Sequence, residues 1–131
     1  YKGEPSPAPY LVSPFGKKLL ALLEIYYADE HFDINHLSQV LHLCPMQVYR
    51  KIKKHAGMSP GQFLLHFRLE KALHLLRDTD LAIGDVAEKA GFSSHNNFSR
   101  AFRKVYGCSP SQLRQVILLE GLERYKMHKK G

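Results

Sequence analysis

The sequence predicts an all-α fold: two helix-turn-helix subdomains joined by a long central helix, about seven helices in all. Three observations lead there. Apolar residues recur at helical spacing along most of the chain, and no stretch of useful length alternates as a half-buried strand does. Helix-start signals recur at Ser13-Pro14, at Asp33 and at two Ser-Pro-x-Gln boxes, Ser59–Gln62 and Ser109–Gln112. The second half of the chain also repeats the first.

Residues 1–13 read as a linker, because Pro5, Pro7 and Pro9 favour extended chain over helix. The first subdomain is expected over 14–58. Ser13 caps its first helix, and Phe15, Leu19, Leu22 and Tyr26 give that helix one apolar face. Asp33 caps a second helix carrying Ile34, Leu37, Val40 and Leu41, and Cys44-Pro45 opens a third with Val48 and Ile52 inward, ended by Gly57. The connecting helix is expected over 59–78. Its apolar residues Phe63, Phe67, Leu69, Ala72, Leu75 and Leu76 are too many for one face, so it should pack against both subdomains. From Pro60 to Arg77 it would span roughly 27 Å at 1.5 Å per residue. The second subdomain is expected over 79–117, with helices at Ile83–Ala90 and Ser94–Tyr106 ended by Gly91 and Gly107. Residues 118–131 are expected as a C-terminal tail, and Ile117 just before it together with its Leu118, Leu122 and Tyr125 suits an extension of the last helix.

The repeat is specific. Ile34, Leu37 and Leu43 recur 49 positions later as Ile83, Val86 and Phe92. Val48, Arg50, Ile52, Lys54, Gly57, Ser59 and Pro60 recur 50 positions later as Phe98, Arg100, Phe102, Lys104, Gly107, Ser109 and Pro110. The change of offset places one inserted residue near Asn96. Each copy is a short helix, a tight turn and a longer helix. Gly91 suits the left-handed turn conformation, for which His42 is a less comfortable residue.

The second helix of each copy has one apolar face and one polar, basic face. The outer face shows Met46, Gln47, Tyr49, Arg50, Lys53 and Lys54 in copy one, and His95, Asn96, Ser99, Arg100, Arg103 and Lys104 in copy two. Neither contains an acid. Arginine can donate two hydrogen bonds to guanine, and Asn or Gln can pair with adenine. Lys53, Lys54, Arg103 and Lys104 lie further along, where phosphates would be, and the helix N-terminus at Ser94 can offer amides to another. A formal net charge of +7 and a pI of about 9.5 favour a polyanionic partner. Two such faces at matched positions of a repeat imply recognition of double-stranded DNA rather than a solvated basic surface.

At Ile83–Ala87, Gly91-Phe92-Ser93, Phe98–Lys104, Gly107 and Ser109-Pro110 the sequence resembles the AraC/XylS family of transcription regulators, over about Phe15 to Val116. The resemblance implies two helix-turn-helix units that read successive major-groove segments of a promoter. It places the base-reading positions at Met46, Tyr49 and Arg50 in the first unit and at His95, Asn96, Ser99 and Arg100 in the second. It also implies RNA polymerase as a partner and a sensing, receiver or dimerisation domain N-terminal to these residues, in a simple regulator or a hybrid two-component one. A bacterial setting is implied too, with membrane attachment of the full-length protein only in the hybrid case, and the two cysteines, with no disulfide framework, fit a reducing cytoplasm. Two departures stand out. Ala82 occupies a position where a capping residue is usual, so the helix after it should be frayed at its start. Met46 could face a thymine methyl or pack inward.

Other functions find little support. The eight histidines are scattered without the i, i+4 spacing of a helix-borne metal site, so no metal is expected. Cys44 and Cys108 make neither a disulfide framework nor a zinc site. No glycine-rich phosphate loop or carboxylate pair suggests an enzyme, and no cofactor is expected. The longest apolar stretch, Leu19–Tyr27, is broken by Glu24 and cannot span a membrane. A start at Tyr1 suggests an excised fragment. No ligand pocket or phospho-acceptor is legible, so binding should need no effector. The alternative is a protein-interaction adaptor, whose helical surface would need no base contacts.

Overall fold

The structure, a computed structural model, describes residues 13–130, with side chains described through residue 121. The expected linker lies outside the described residues except for Ser13. The described residues form seven helices: α1 (Pro14–Tyr26), α2 (Ile34–Leu41), α3 (Pro45–Ala56), α4 (Pro60–Asp78), α5 (Ile83–Lys89), α6 (His95–Tyr106) and α7 (Pro110–Lys130).

Local chemistry sets most of these boundaries. The Ser13 hydroxyl accepts from the Gly16 amide at 2.9 Å. Asp33 accepts from the amides of Asn35 and His36 at 3.0 and 3.2 Å. The two Ser-Pro-x-Gln boxes close reciprocally: each serine hydroxyl accepts from the glutamine amide, and each glutamine carbonyl oxygen accepts from the serine amide. Cys44 has no capping hydroxyl, and Gln47 Oε1 accepts its amide at 3.0 Å. Gly57 and Gly107 end α3 and α6 with φ of +72° and +79°.

Two cores lie along α4. Leu19, Leu23, Phe32, Leu37, Leu41, Val48 and Ile52 pack on Phe63 and Leu64 at its start. Val86, Ala87, Ala90, Phe98, Phe102, Tyr106 and Leu113 pack on Leu69, Ala72, Leu73 and Leu76 further along. The central helix therefore does serve both subdomains. In α1 the inward stripe is turned from the expected one. Leu23 is fully buried, whereas Tyr26 lies at the edge and stacks on Phe32 with ring centroids 5.1 Å apart. Leu19 and Leu23 lie one turn apart on the same side of the helix, and the position of Phe63 and Leu64 decides which side that is.

The inserted residue of the second repeat is Ser93, not one near Asn96. Leu43 N donates to Ser38 O and Phe92 N to Ala87 O, both at 3.0 Å, which keeps the offset of 49 up to that point. The N-caps are Cys44 and Ser94, already 50 apart. An extra residue inside α6 would rotate everything after it by about 100°. In the turn it costs no helical register. Both turns are left-handed, with φ of 57° at His42 and 92° at Gly91.

Helix α5 begins in regular helical form at Ile83. Ala82 supplies no side-chain cap, but its carbonyl still accepts from Val86 N at 3.0 Å. The loop before it is held from outside. Arg114 on α7 donates to the carbonyls of Leu76 and Thr79, both at 3.3 Å, and to that of Leu81. Past Ile117, α7 continues as a helix to Lys130 through the segment expected as a tail. There Leu118 and Leu119 are exposed, and the side chains of Leu122 and Tyr125 lie outside the described residues.

His66, on α4, has a buried Nδ1 without a hydrogen-bond partner among the described residues. Burial lowers its pKa from the ordinary 6.5. Its neutral form suits the fold, so the unfolded chain takes up the proton first. Stability is then full above pH 6.5 and declines as pH falls below it. Asp33, whose pKa is lowered chiefly by hydrogen bonds from His36, adds a separate loss that begins only near pH 3.8. The unfolding midpoint in urea should therefore drop between pH 7 and about 5.5. His66→Phe should flatten that drop, and a slope unchanged by the substitution would exclude His66 as its source.

Candidate nucleic-acid interface

Helices α3 and α6 are built alike. Val48 and Ile52 anchor α3 in the first core, and Phe98, Phe102 and Tyr106 anchor α6 in the second. Each fully buried side chain of this size contributes about 1.5–3 kcal/mol. That anchoring fixes the rotation of each helix and so decides which residues face outward. On α3 these are Met46, Tyr49, Arg50, Lys53 and Lys54, and on α6 His95, Asn96, Arg100, Arg103 and Lys104, all exposed, with Ser99 half-buried. Among the described residues no carboxylate forms an ion pair with any of these cations.

The structure separates the candidates by environment. Met46 is 58% exposed, which rules out the packing alternative for it. Tyr49 is 42% exposed and has a second environment. It lines a cleft of about 500 Å³ together with Leu19, Leu23, Phe32, Leu37 and Phe63. No such cleft was legible in the sequence, because it is the space left between four helices and belongs to none of them. Ser94 holds its hydroxyl against the Asn97 amide at 3.1 Å, so the serine is the cap of α6. The helix end it shapes leaves the first amides of α6 for an anion.

Three residues of these helices have roles that the sequence did not announce. Asn97 stands 50 positions after Gln47, and both steady a helix start; Asn97 Nδ2 donates to Ser93 Oγ at 3.2 Å. Lys51 and His55 turn toward α1, where Lys51 Nζ sits 5.2 Å from the Phe15 ring centroid and the His55 ring stacks on Phe15 at 5.5 Å. Their one-turn spacing on the side away from Arg50 was the available signal. Among the described residues no three His, Cys, Asp or Glu side chains gather to hold a metal ion. No helix there is long and apolar enough to cross a membrane.

Two helix-turn-helix units with outward basic recognition helices define a DNA-binding type of domain. The chain belongs to the AraC-type helix-turn-helix family of transcription regulators: the family model described as "Helix-turn-helix domain" matches residues 37–115. The transcriptional activator RhaS of Enterobacter sp. (strain 638) is 38% identical over 98 residues, which cover 75% of this chain and 35% of that protein. The chain thus spans about a third of the length of the curated relatives it matches. The C-terminal domain of the two-component response regulator yesN from Fusobacterium nucleatum superposes with a TM-score of 0.73 at 33% identity, covering 78% of this chain and 99% of that one. The DNA-binding domain of the global transcriptional factor AdpA, solved in complex with a target DNA, superposes with a TM-score of 0.72 at 26% identity, covering 79% and 92%.

Ser94→Ala removes the cap of α6 and should lower stability by about 1 kcal/mol. Urea denaturation measures this, and Ser94→Asp should restore most of the loss. A neutral alanine variant would show that the cap hydrogen bond contributes nothing.

Proposed function

We propose that this chain is the promoter-reading output domain of a transcription regulator, and that it lays α3 and α6 into successive major-groove segments on one face of DNA. The observation that carries the reading is the duplicated helix: the same apolar anchor inside and the same acid-free basic face outside, twice on one chain. Arg50 and Arg100 are the paired guanine readers, and Asn96 is suited to adenine. Met46 offers an apolar contact to a thymine methyl, and Tyr49, His95 and Ser99 complete the base-facing set. Lys53, Lys54, Arg103, Lys104 and the helix end capped by Ser94 hold phosphates and fix the docking pose.

Coverage of about a third of RhaS supports a larger polypeptide, with a sensing, receiver or dimerisation domain attached to this one. Likeness to a response-regulator output domain supports the receiver arrangement as one of these. RNA polymerase is the partner a promoter-bound activator acts on. The bacterial cytoplasm is the compartment that holds both, and no catalytic role is assigned.

Selection from random duplexes at low salt tests the reading, with recovery of a defined motif as the expected result. No binding at low salt would overturn it and favour the protein-adaptor alternative. Arg50→Ala and Arg100→Ala should each cost about 1–3 kcal/mol and relax preference at one base pair. The two losses should fall about 10 base pairs apart. Identical losses in the two variants, or a uniform drop at every position, would remove the assignment.

Helix α4 sets the spacing of the two heads. One alanine inserted after Glu70 rotates the rest of the chain by about 100° and should lower full-site affinity by orders of magnitude, with weak half-site binding retained. A folded insertion variant that binds the full site as the parent does would make α4 a tether and not a ruler.

A further inference from the structure

The geometry points to a second joint between the two units, built from Arg68, the Tyr27 backbone and Gly91, which fixes α6 relative to α3 for simultaneous reading. The inference rests on the two-headed reading of DNA above, and it concerns residues outside both recognition helices.

Arg68 leaves α4 midway between the two cores. Its Nε donates to Tyr27 O at 2.9 Å, and its Nη2 donates to Asp29 O at 2.7 Å and Phe32 O at 3.3 Å. One guanidinium thus gathers three carbonyls of the α1–α2 loop, which a lysine ammonium on a flexible stem cannot do with the same fixed geometry. The same loop end is gripped again by Lys71, which pairs with Glu24 and lies over the rings of Tyr27 and Phe67.

That loop belongs to the first unit, and the second unit rests on it. A Cβ placed on Gly91 would come within 2.1 Å of Tyr27 O and 2.9 Å of Arg68 Nε. Positive φ alone does not explain the glycine. His42 takes the equivalent left-handed turn position in the first unit and carries an exposed imidazole. What excludes a side chain at Gly91 is the backbone of the other unit. Beside this contact Glu30 of the loop borders a crevice of about 280 Å³ with Phe92, Ser94 and His95, at the start of α6. Arg114 clasps the α4–α5 loop in a similar way, but all its partners lie in the second unit and its own flanking helix. The Arg68 clasp, by contrast, holds the first unit's loop at the place where the second unit's turn packs on it at Gly91.

The joint is a positioning device, so its loss should separate two-site from one-site binding. Spin labels at exposed Lys18 and Gln115, in a chain with Cys44→Ser and Cys108→Ser, report the distance between units without DNA. The parent should give one narrow distance distribution. Gly91→Ala, and Arg68→Lys as the milder change, should broaden or shift it. Gly57→Ala and Gly107→Ala carry comparable positive φ but have no atom within 4 Å of the added Cβ. They should leave the distribution as in the parent, which separates backbone strain from the lost joint. On the selected duplex, Arg68→Lys should weaken full-site binding roughly 10- to 100-fold while each half-site is bound as before.

A parental distance distribution in both Gly91→Ala and Arg68→Lys would overturn the joint. So would half-site affinity that falls in step with full-site affinity, since Arg68 would then merely keep its own unit folded. Failure of the parent chain to bind any DNA would overturn the two-headed reading, while the distance measurement would still decide the joint.

Discussion

Helix α4 gives Phe63 and Leu64 to one core and Leu69, Ala72, Leu73 and Leu76 to the other. Without α4 each unit has roughly 40 residues, a size at which a core of its own is marginal because so much surface stays in water. Each therefore borrows one wall from a helix that the other also uses. The arrangement has a mechanical consequence. A continuous helix has fixed rise and fixed rotation per residue, so the two borrowed walls stand at a set distance and angle. Whatever packs on them inherits that relation, and α3 and α6 both do.

The loops that join the units carry their backbone polarity in a similar economical way. Carbonyls at the bends before α2 and α5 have no helical partner, and leaving them unpaired near the core would be costly. One arginine answers each bend: Arg68 for the first, Arg114 for the second. Burial works against the charge of Arg68, and nearby Asp29 and Glu30 offset part of that. The repeat is thus closer in design than in sequence, because the two arginines do not occupy matching positions. The differences between the copies are equally informative. The second turn is one residue longer and meets the first unit at Gly91, whereas the first turn stays open to solvent at His42.

On the outer faces, cations without an ion-pair partner among the described residues stand in the last turns of α3 and α6, with uncharged side chains nearer their starts. This gradient suits a helix whose front meets base edges and whose rear meets the sugar–phosphate chain. Tyr49 departs from the pattern because it also borders the apolar cleft of the first unit. Its ring position is tied to the packing of α1, α2 and α4 in a way that Arg50, facing outward, is not.

Much of the fold is legible in the sequence, and the reason is locality. Ser13, Asp33, Ser59 and Ser109 act on amides within three residues, so their capping roles can be read from short windows. The inward anchors Val48, Ile52, Phe98 and Phe102 follow from helical spacing, and the outer faces of α3 and α6 follow from them. What the windows could not contain is anything set by residues far apart in the chain. The side of α1 that turns inward depends on α4, so Leu23 rather than Tyr26 is buried. The turn takes the inserted residue, because α6 must keep its register against the second core. Gly91 read correctly as a left-handed turn residue, but its contact with Tyr27 lies 64 positions away and no local pattern announces it. By itself the sequence determined the succession of helices, most of their ends, the duplication and the chemistry of the two exposed faces, because those are properties of neighbouring residues. Only the tertiary structure decided where the two units touch beside α4, because that contact brings together one arginine, three distant carbonyls and a glycine that has no side chain.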